Sequence, residues 1–98
     1  MFKEKVEEVP KGYGLSQNYP NPFNPVTEIK FALPEDGYVK LIVYDILGRE
    51  VARLVDGEVR AGYHTVRWDA SNMSSGIYIY RIMVGNKFTG AKGMLLIK

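Results

Sequence analysis

Pro20, Pro22 and Pro25 fall within the six residues Pro20-Asn21-Pro22-Phe23-Asn24-Pro25, and no other stretch of the chain restricts its backbone so severely. Each proline ring holds φ at about −65° and removes a backbone N–H, so the segment cannot continue a helix. For the same reason it cannot lie inside a sheet. The residue before each proline is pushed toward extended or polyproline conformations. The result is a stiff, extended entry with few hydrogen-bonding partners, for which Tyr19 and Phe23 are the expected anchors.

Beyond this entry the apolar pattern has a period of two. Ile29, Phe31 and Leu33 share one face, with Glu28, Lys30 and Ala32 on the other, as in a strand half-buried against a core. Pro34-Glu35-Asp36-Gly37 is a turn. Val39, Leu41 and Val43 resume the core face, and the mixed opposite face (Tyr38, Lys40, Ile42, Tyr44) places this strand in a sheet centre. Asp45-Ile46-Leu47-Gly48 is a hairpin signal in which Gly48 takes the left-handed conformation. Arg49 to Val55 returns as an irregular edge strand, and Asp56-Gly57 with Ala61-Gly62 brackets a short loop of turns. Tyr63 to Trp68 alternates again, with His64, Val66 and Trp68 on one face. Asp69 to Ser75 is a polar loop. Ile77 to Val84 is a strong strand, Gly85-Asn86 a two-residue hairpin, and Lys87 to Ile97 the last strand. About seven short strands with no helix predict an all-β fold, an immunoglobulin- or fibronectin-like antiparallel β-sandwich.

The 98 residues suffice for one domain with a single core and no deep cleft. Residues 1–14 combine alternating charge with Pro10, Gly12 and Gly14 and are expected to be a linker, leaving 15–98 as the folded unit. The net charge of +2 is spread along the chain, which gives little attraction for nucleic acid or an anionic membrane. No stretch approaches the about 20 apolar residues of a membrane helix. The charged first residues contain no apolar segment of a secretory leader, so an exported form is expected to carry its leader further upstream.

Catalytic chemistry finds no foothold. Without cysteine, and with one histidine, disulfides, thiolate nucleophiles and ordinary zinc sets are excluded. His64 alternates with Val66 and Trp68, the pattern of a packed, hydrogen-bonded histidine. The carboxylates of Glu35, Asp36, Asp45, Glu50, Asp56, Glu58 and Asp69 fall mostly at turns, where capping the backbone is their usual task. They lack the dense spacing of a calcium loop. No catalytic residue, metal ligand or cofactor site is therefore expected. Tyr38, Tyr44, Tyr63 and Trp68 offer an alternative, a stacking platform of an accessory carbohydrate-binding module; the competing reading puts Trp68 in the core.

Two features exceed what such a domain needs for itself. One is the prolyl segment. The other is the apolar tail Met94-Leu95-Leu96-Ile97, which can complete its own sheet or pair with the exposed edge of a partner; the same edge pairing allows strand exchange into a dimer.

Several blocks occur in a set order: Leu15-Ser16-Gln17-Asn18-Tyr19-Pro20-Asn21-Pro22-Phe23-Asn24-Pro25 with Thr27-Glu28-Ile29; Val43-Tyr44-Asp45 with Gly48-Arg49-Glu50-Val51; Ala61-Gly62-Tyr63-His64 with Trp68-Asp69; Gly76-Ile77-Tyr78-Ile79-Tyr80-Arg81; and Lys92 with Met94 to Lys98. Together they resemble the type A C-terminal sorting domain of the bacterial type IX secretion system. Sandwich domains of flagellar hook-capping proteins resemble the central and later blocks, and a scaffold role like theirs is a further alternative. The sorting-domain resemblance implies a non-catalytic signal at the end of an exported cargo protein. It implies passage through the periplasm, recognition by an outer-membrane translocon and a sortase, and delivery to the cell surface or the medium. Removal of the signal would occur upstream, within or before Met1 to Ser16. The resemblance places the main recognition element on Lys92, Gly93, Met94, Leu95, Leu96, Ile97 and Lys98. Pro20, Asn21, Pro22, Phe23, Asn24 and Pro25 are a second contact candidate.

Overall fold

A computed structural model describes residues 9–98. Its strands are β1 (Gly14–Leu15), β2 (Val26–Leu33), β3 (Gly37–Asp45), β4 (Glu50–Val59), β5 (Gly62–Asp69), β6 (Gly76–Val84) and β7 (Phe88–Leu96). They form two antiparallel sheets, three-stranded in the order β1-β2-β5 and four-stranded in the order β4-β3-β6-β7. The described residues contain no helix, and so none long and apolar enough to cross a membrane. The chain is an all-β sandwich, as the period-two pattern required.

Alternation decides what is buried. Ile29, Phe31 and Leu33 from β2, Val39, Leu41 and Val43 from β3, and Tyr80, Ile82 and Val84 from β6 meet between the sheets. Each such side chain, fully withdrawn from water, contributes about 1.5–3 kcal/mol. Trp68 closes one end of this core, its ring 5.8 Å from Phe23 and 5.5 Å from Tyr78. The turn chemistry holds as well. Gly48 has φ 82°, and the Asp45 carboxylate accepts the N–H groups of Leu47 and Arg49 at 2.9 and 3.0 Å. β3 is central and β4 is an edge with two register irregularities against β3.

Three sequence expectations are corrected. Asp56-Gly57 lies inside β4 rather than in a loop. The full length of β3 supplies partners as far as Val59, and the Tyr38 hydroxyl donates to Asp56 at 2.6 Å. The β6–β7 connection has three residues, not two, closed by Lys87 N–H to the Val84 carbonyl at 2.9 Å. Tyr19 is no anchor: it is 81% exposed, whereas Phe23 is 3% exposed. Of the expected linker, residues 1–8 lie outside the described residues. In the remainder Pro10 is buried, Tyr13 stacks on Phe88 with centroids 5.2 Å apart, and Gly14 opens β1.

Candidate partner-binding edge

The prolyl segment and the last strand, 74 positions apart at their contact, form one structure. Upstream of the prolines the chain follows β2: Ser16 N–H reaches the Lys30 carbonyl, and Tyr19 and Glu28 exchange both backbone bonds at 2.9 Å. Pro20 has no N–H with which to continue the ladder, and there the chain leaves β2 and crosses to the other sheet. Asn21 Oδ1 accepts Leu95 N–H at 3.0 Å. Phe23 then pairs with β7 as a strand would, donating to the Leu95 carbonyl at 2.9 Å and accepting from Ile97 N–H at 3.0 Å. The Pro25 carbonyl accepts Ala70 N–H at 2.8 Å, and the chain rejoins β2. The peptide bonds before Pro20, Pro22 and Pro25 are cis.

Buried polar groups hold this crossing in place. Asn18 and Thr27 are 2% and 0% exposed, so their side chains need partners. Asn18 Nδ2 donates to Thr27 Oγ1 and the Pro20 carbonyl, and Thr27 Oγ1 donates to that carbonyl at 2.8 Å. Gln17 Nε2 donates both to Asn18 Oδ1 and to the Gly93 carbonyl at 2.7 Å, so the network ends on β7.

Of the expected recognition residues in the tail, Met94 and Leu96 point into the core, and Lys92 shares that inward row, half-buried. Gly93 and Leu95 face outward; Ile97 and Lys98 are exposed. Lys98 is itself fastened, its N–H to Ser75 Oγ and its Nζ to the Ser71 carbonyl at 2.6 Å. In the prolyl segment Pro20, Asn21, Pro22 and Asn24 are exposed, Pro25 is half-buried, and Phe23 is core.

Beside Gly93 and Leu95 lie two residues not singled out in the sequence. Ile79 and Ile77 of β6 stand opposite them in register and are 40% and 55% exposed. Their signal was present: Ile77-Tyr78-Ile79-Tyr80 is apolar on both faces, more than a half-buried strand needs. Ile46 and Leu47, at the tip of the β3–β4 hairpin, are exposed too.

Elsewhere the polar groups are engaged with backbone and neighbouring side chains. A ring nitrogen of His64 lies 2.7 Å from the Arg60 carbonyl, and the ring stacks on Phe31. Asp36 and Asp69 accept the N–H groups of Ala61 and Ser71. Asp45 is held below its ordinary range first by the Arg49 N–H and further by the Arg49 side chain and Leu47 N–H. Burial pushes the Tyr80 hydroxyl, which donates to the Ser16 carbonyl at 2.5 Å, up to about 12. The sugar-stacking row does not assemble: Trp68 is 5% exposed in the core, while Tyr63 and Tyr38 belong to different sheets.

A family model for the secretion system C-terminal sorting domain matches residues 17–96. That range opens at Gln17, which anchors the crossing, and closes at Leu96 in β7. No curated protein and no solved structure matches.

Proposed function

This chain belongs to the secretion system C-terminal sorting domains, the tails that direct proteins into type IX secretion, and on that premise we propose that it is read by the outer-membrane translocon and a sortase as a non-catalytic label. The carrying observation is that the family match spans both the prolyl crossing and the strand it clamps. In this reading an upstream cargo is continuous with the chain, crosses the periplasm, and is delivered to the surface or the medium. The cut that frees it falls within or before residues 1–16, and residues 15–98, with Tyr13 and Gly14 packed ahead of them, are the folded signal. Recognition uses what the crossing and the tail leave outside: Pro20, Asn21, Pro22 and Asn24 on one side, Gly93, Leu95, Ile97 and Lys98 on the other. Phe23, Met94 and Leu96 serve by holding that surface in shape.

A periplasmic reporter fused ahead of the full chain tests this. In a bacterium with type IX secretion the fusion reaches the surface or medium, and in a strain lacking the translocon it stays in the periplasm. A fusion retained equally in both strains would refute the reading. Simple deletion of residues 94–98 is a poor test, because Met94 and Leu96 are 2% and 0% exposed and the deletion removes core packing together with the recognition surface.

A further inference from the structure

Among the described residues, the outer edge of β7 is only half occupied. Asn21 and Phe23 take the N–H and C=O of Leu95, and Gln17 takes the Gly93 carbonyl. Further upstream, the alternation of an antiparallel ladder turns the N–H and C=O of Thr89 and Ala91, and the N–H of Gly93, away from β6. Among the described residues no hydrogen bond reaches these groups. Thr89 to Gly93 spans about 14 Å at the rise of an antiparallel strand, enough for a short added strand.

The two glycines of β7 differ in a telling way. A Cβ on Gly90 would meet Phe88, Leu15 and Ile82 at 3.4–3.6 Å, so core packing accounts for that glycine. Among the described residues a Cβ on Gly93 would meet only the Tyr78 carbonyl, at 4.0 Å, and the backbone there does not have a positive φ. No contact among the described residues requires Gly93, and a glycine inside a strand often marks a place where another backbone or a ligand comes close. Its absent side chain leaves a shelf on the outer face, with Ala91 beside it and the exposed Ile79 behind it in register. On the inner side of the same edge, Lys92 has no ion pair among the described residues. An inward-facing lysine discourages indiscriminate pairing at an edge and favours a strand that brings a carboxylate.

Resting on the export reading above, we infer that Thr89–Gly93 is a strand-addition site for an extended segment of a partner protein. The segment continues the four-stranded sheet through backbone hydrogen bonds. It lays a bulky apolar side chain over Gly93 against Ile79 and presents a carboxylate to Lys92. Asn21–Phe23 ends the free edge at Leu95 and so fixes where the added strand must stop.

The reporter fusion, carrying the full chain, decides the matter with two substitutions. Gly93→Val fills the shelf, where the domain has room for it. Ala91→Pro removes an outward N–H without breaking a bond to β6. Both purified chains are expected to show the native far-ultraviolet spectrum, Gly93→Val with an unchanged or higher melting temperature. Both fusions are expected to accumulate in the periplasm, with export reduced at least tenfold relative to the unsubstituted fusion. Normal export of Gly93→Val would overturn the inference while leaving the sorting reading intact, since the unsubstituted fusion is exported in the same cells. A melting temperature lowered by Gly93→Val would also overturn it, because the domain itself would then need that glycine. If Ala91→Pro is destabilised, Gly93→Val alone decides.

Discussion

Truncating Phe23 to alanine asks whether the prolyl segment is part of the core or an arm laid on it. The ring is 3% exposed, 5.8 Å from Trp68. Its removal leaves intact the two bonds to Leu95 and Ile97, which the backbone makes. Loss of a buried phenyl group costs about 3–5 kcal/mol through lost transfer energy and the cavity left behind. An ordinary domain has about 5–15 kcal/mol in all. At about 4–8 °C per kcal/mol for a domain of this size, the melting temperature falls by about 12–40 °C. A urea titration followed by tryptophan fluorescence and far-ultraviolet circular dichroism measures the loss directly. The chain has a single tryptophan, Trp68, which touches the mutated site, so coincidence with the dichroism transition guards against a purely local change. Tyr19→Ala, at a side chain 81% exposed, is the control and shifts stability by less than about 0.5 kcal/mol. Equal urea midpoints for the two variants would refute the claim that this segment is core.

Three further outcomes are expected. Thr27→Val keeps the shape but strips the hydroxyl shared by Asn18 and the Pro20 carbonyl; it lowers urea-measured stability by about 1–3 kcal/mol. Tyr80 is neutral in the fold up to about 12, whereas an unfolded tyrosine ionises near 10, so its contribution is complete below about pH 10 and declines as pH rises toward 12. The decline amounts to about 1.4 kcal/mol per pH unit, and Tyr80→Phe removes that part of the alkaline slope in melts taken from pH 9 to 12. Asp45, with its acidity strengthened chiefly by the Arg49 N–H, stabilises the fold above the ordinary carboxylate range and ceases to as pH falls through its depressed value. The melting-temperature gap between the wild type and Asp45→Asn therefore narrows as pH drops from 5 to 2.

Most of the fold was legible because strand burial has a short, local period. The inward rows of β2, β3 and β5 could be read directly, and Gly48 and Asp45 announced their hairpin through turn chemistry. Where the reading slipped, tertiary partners overrode a local signal. Asp56-Gly57 has the composition of a turn, yet β3 runs far enough to keep it in register. Tyr19 and Phe23 flank the same prolines, and nothing local distinguishes the exposed ring from the buried one. Of the site, the two segments were both legible, but their contact was not, because hydrogen bonds across 74 positions leave no periodic trace.

The prolines and the alternation determined by themselves that this chain would be a small β protein with a rigid entrance and an apolar last strand. They act through backbone torsion and hydrophobic burial, which neighbouring residues specify. Which half of β7 is clamped, which half has no backbone partner among the described residues, and that Gly93 stands opposite the exposed Ile79 were decided only by the packing of the two sheets. An edge is a property of the whole sheet order, and whether an N–H points to a partner or to solvent depends on strands far away in the chain.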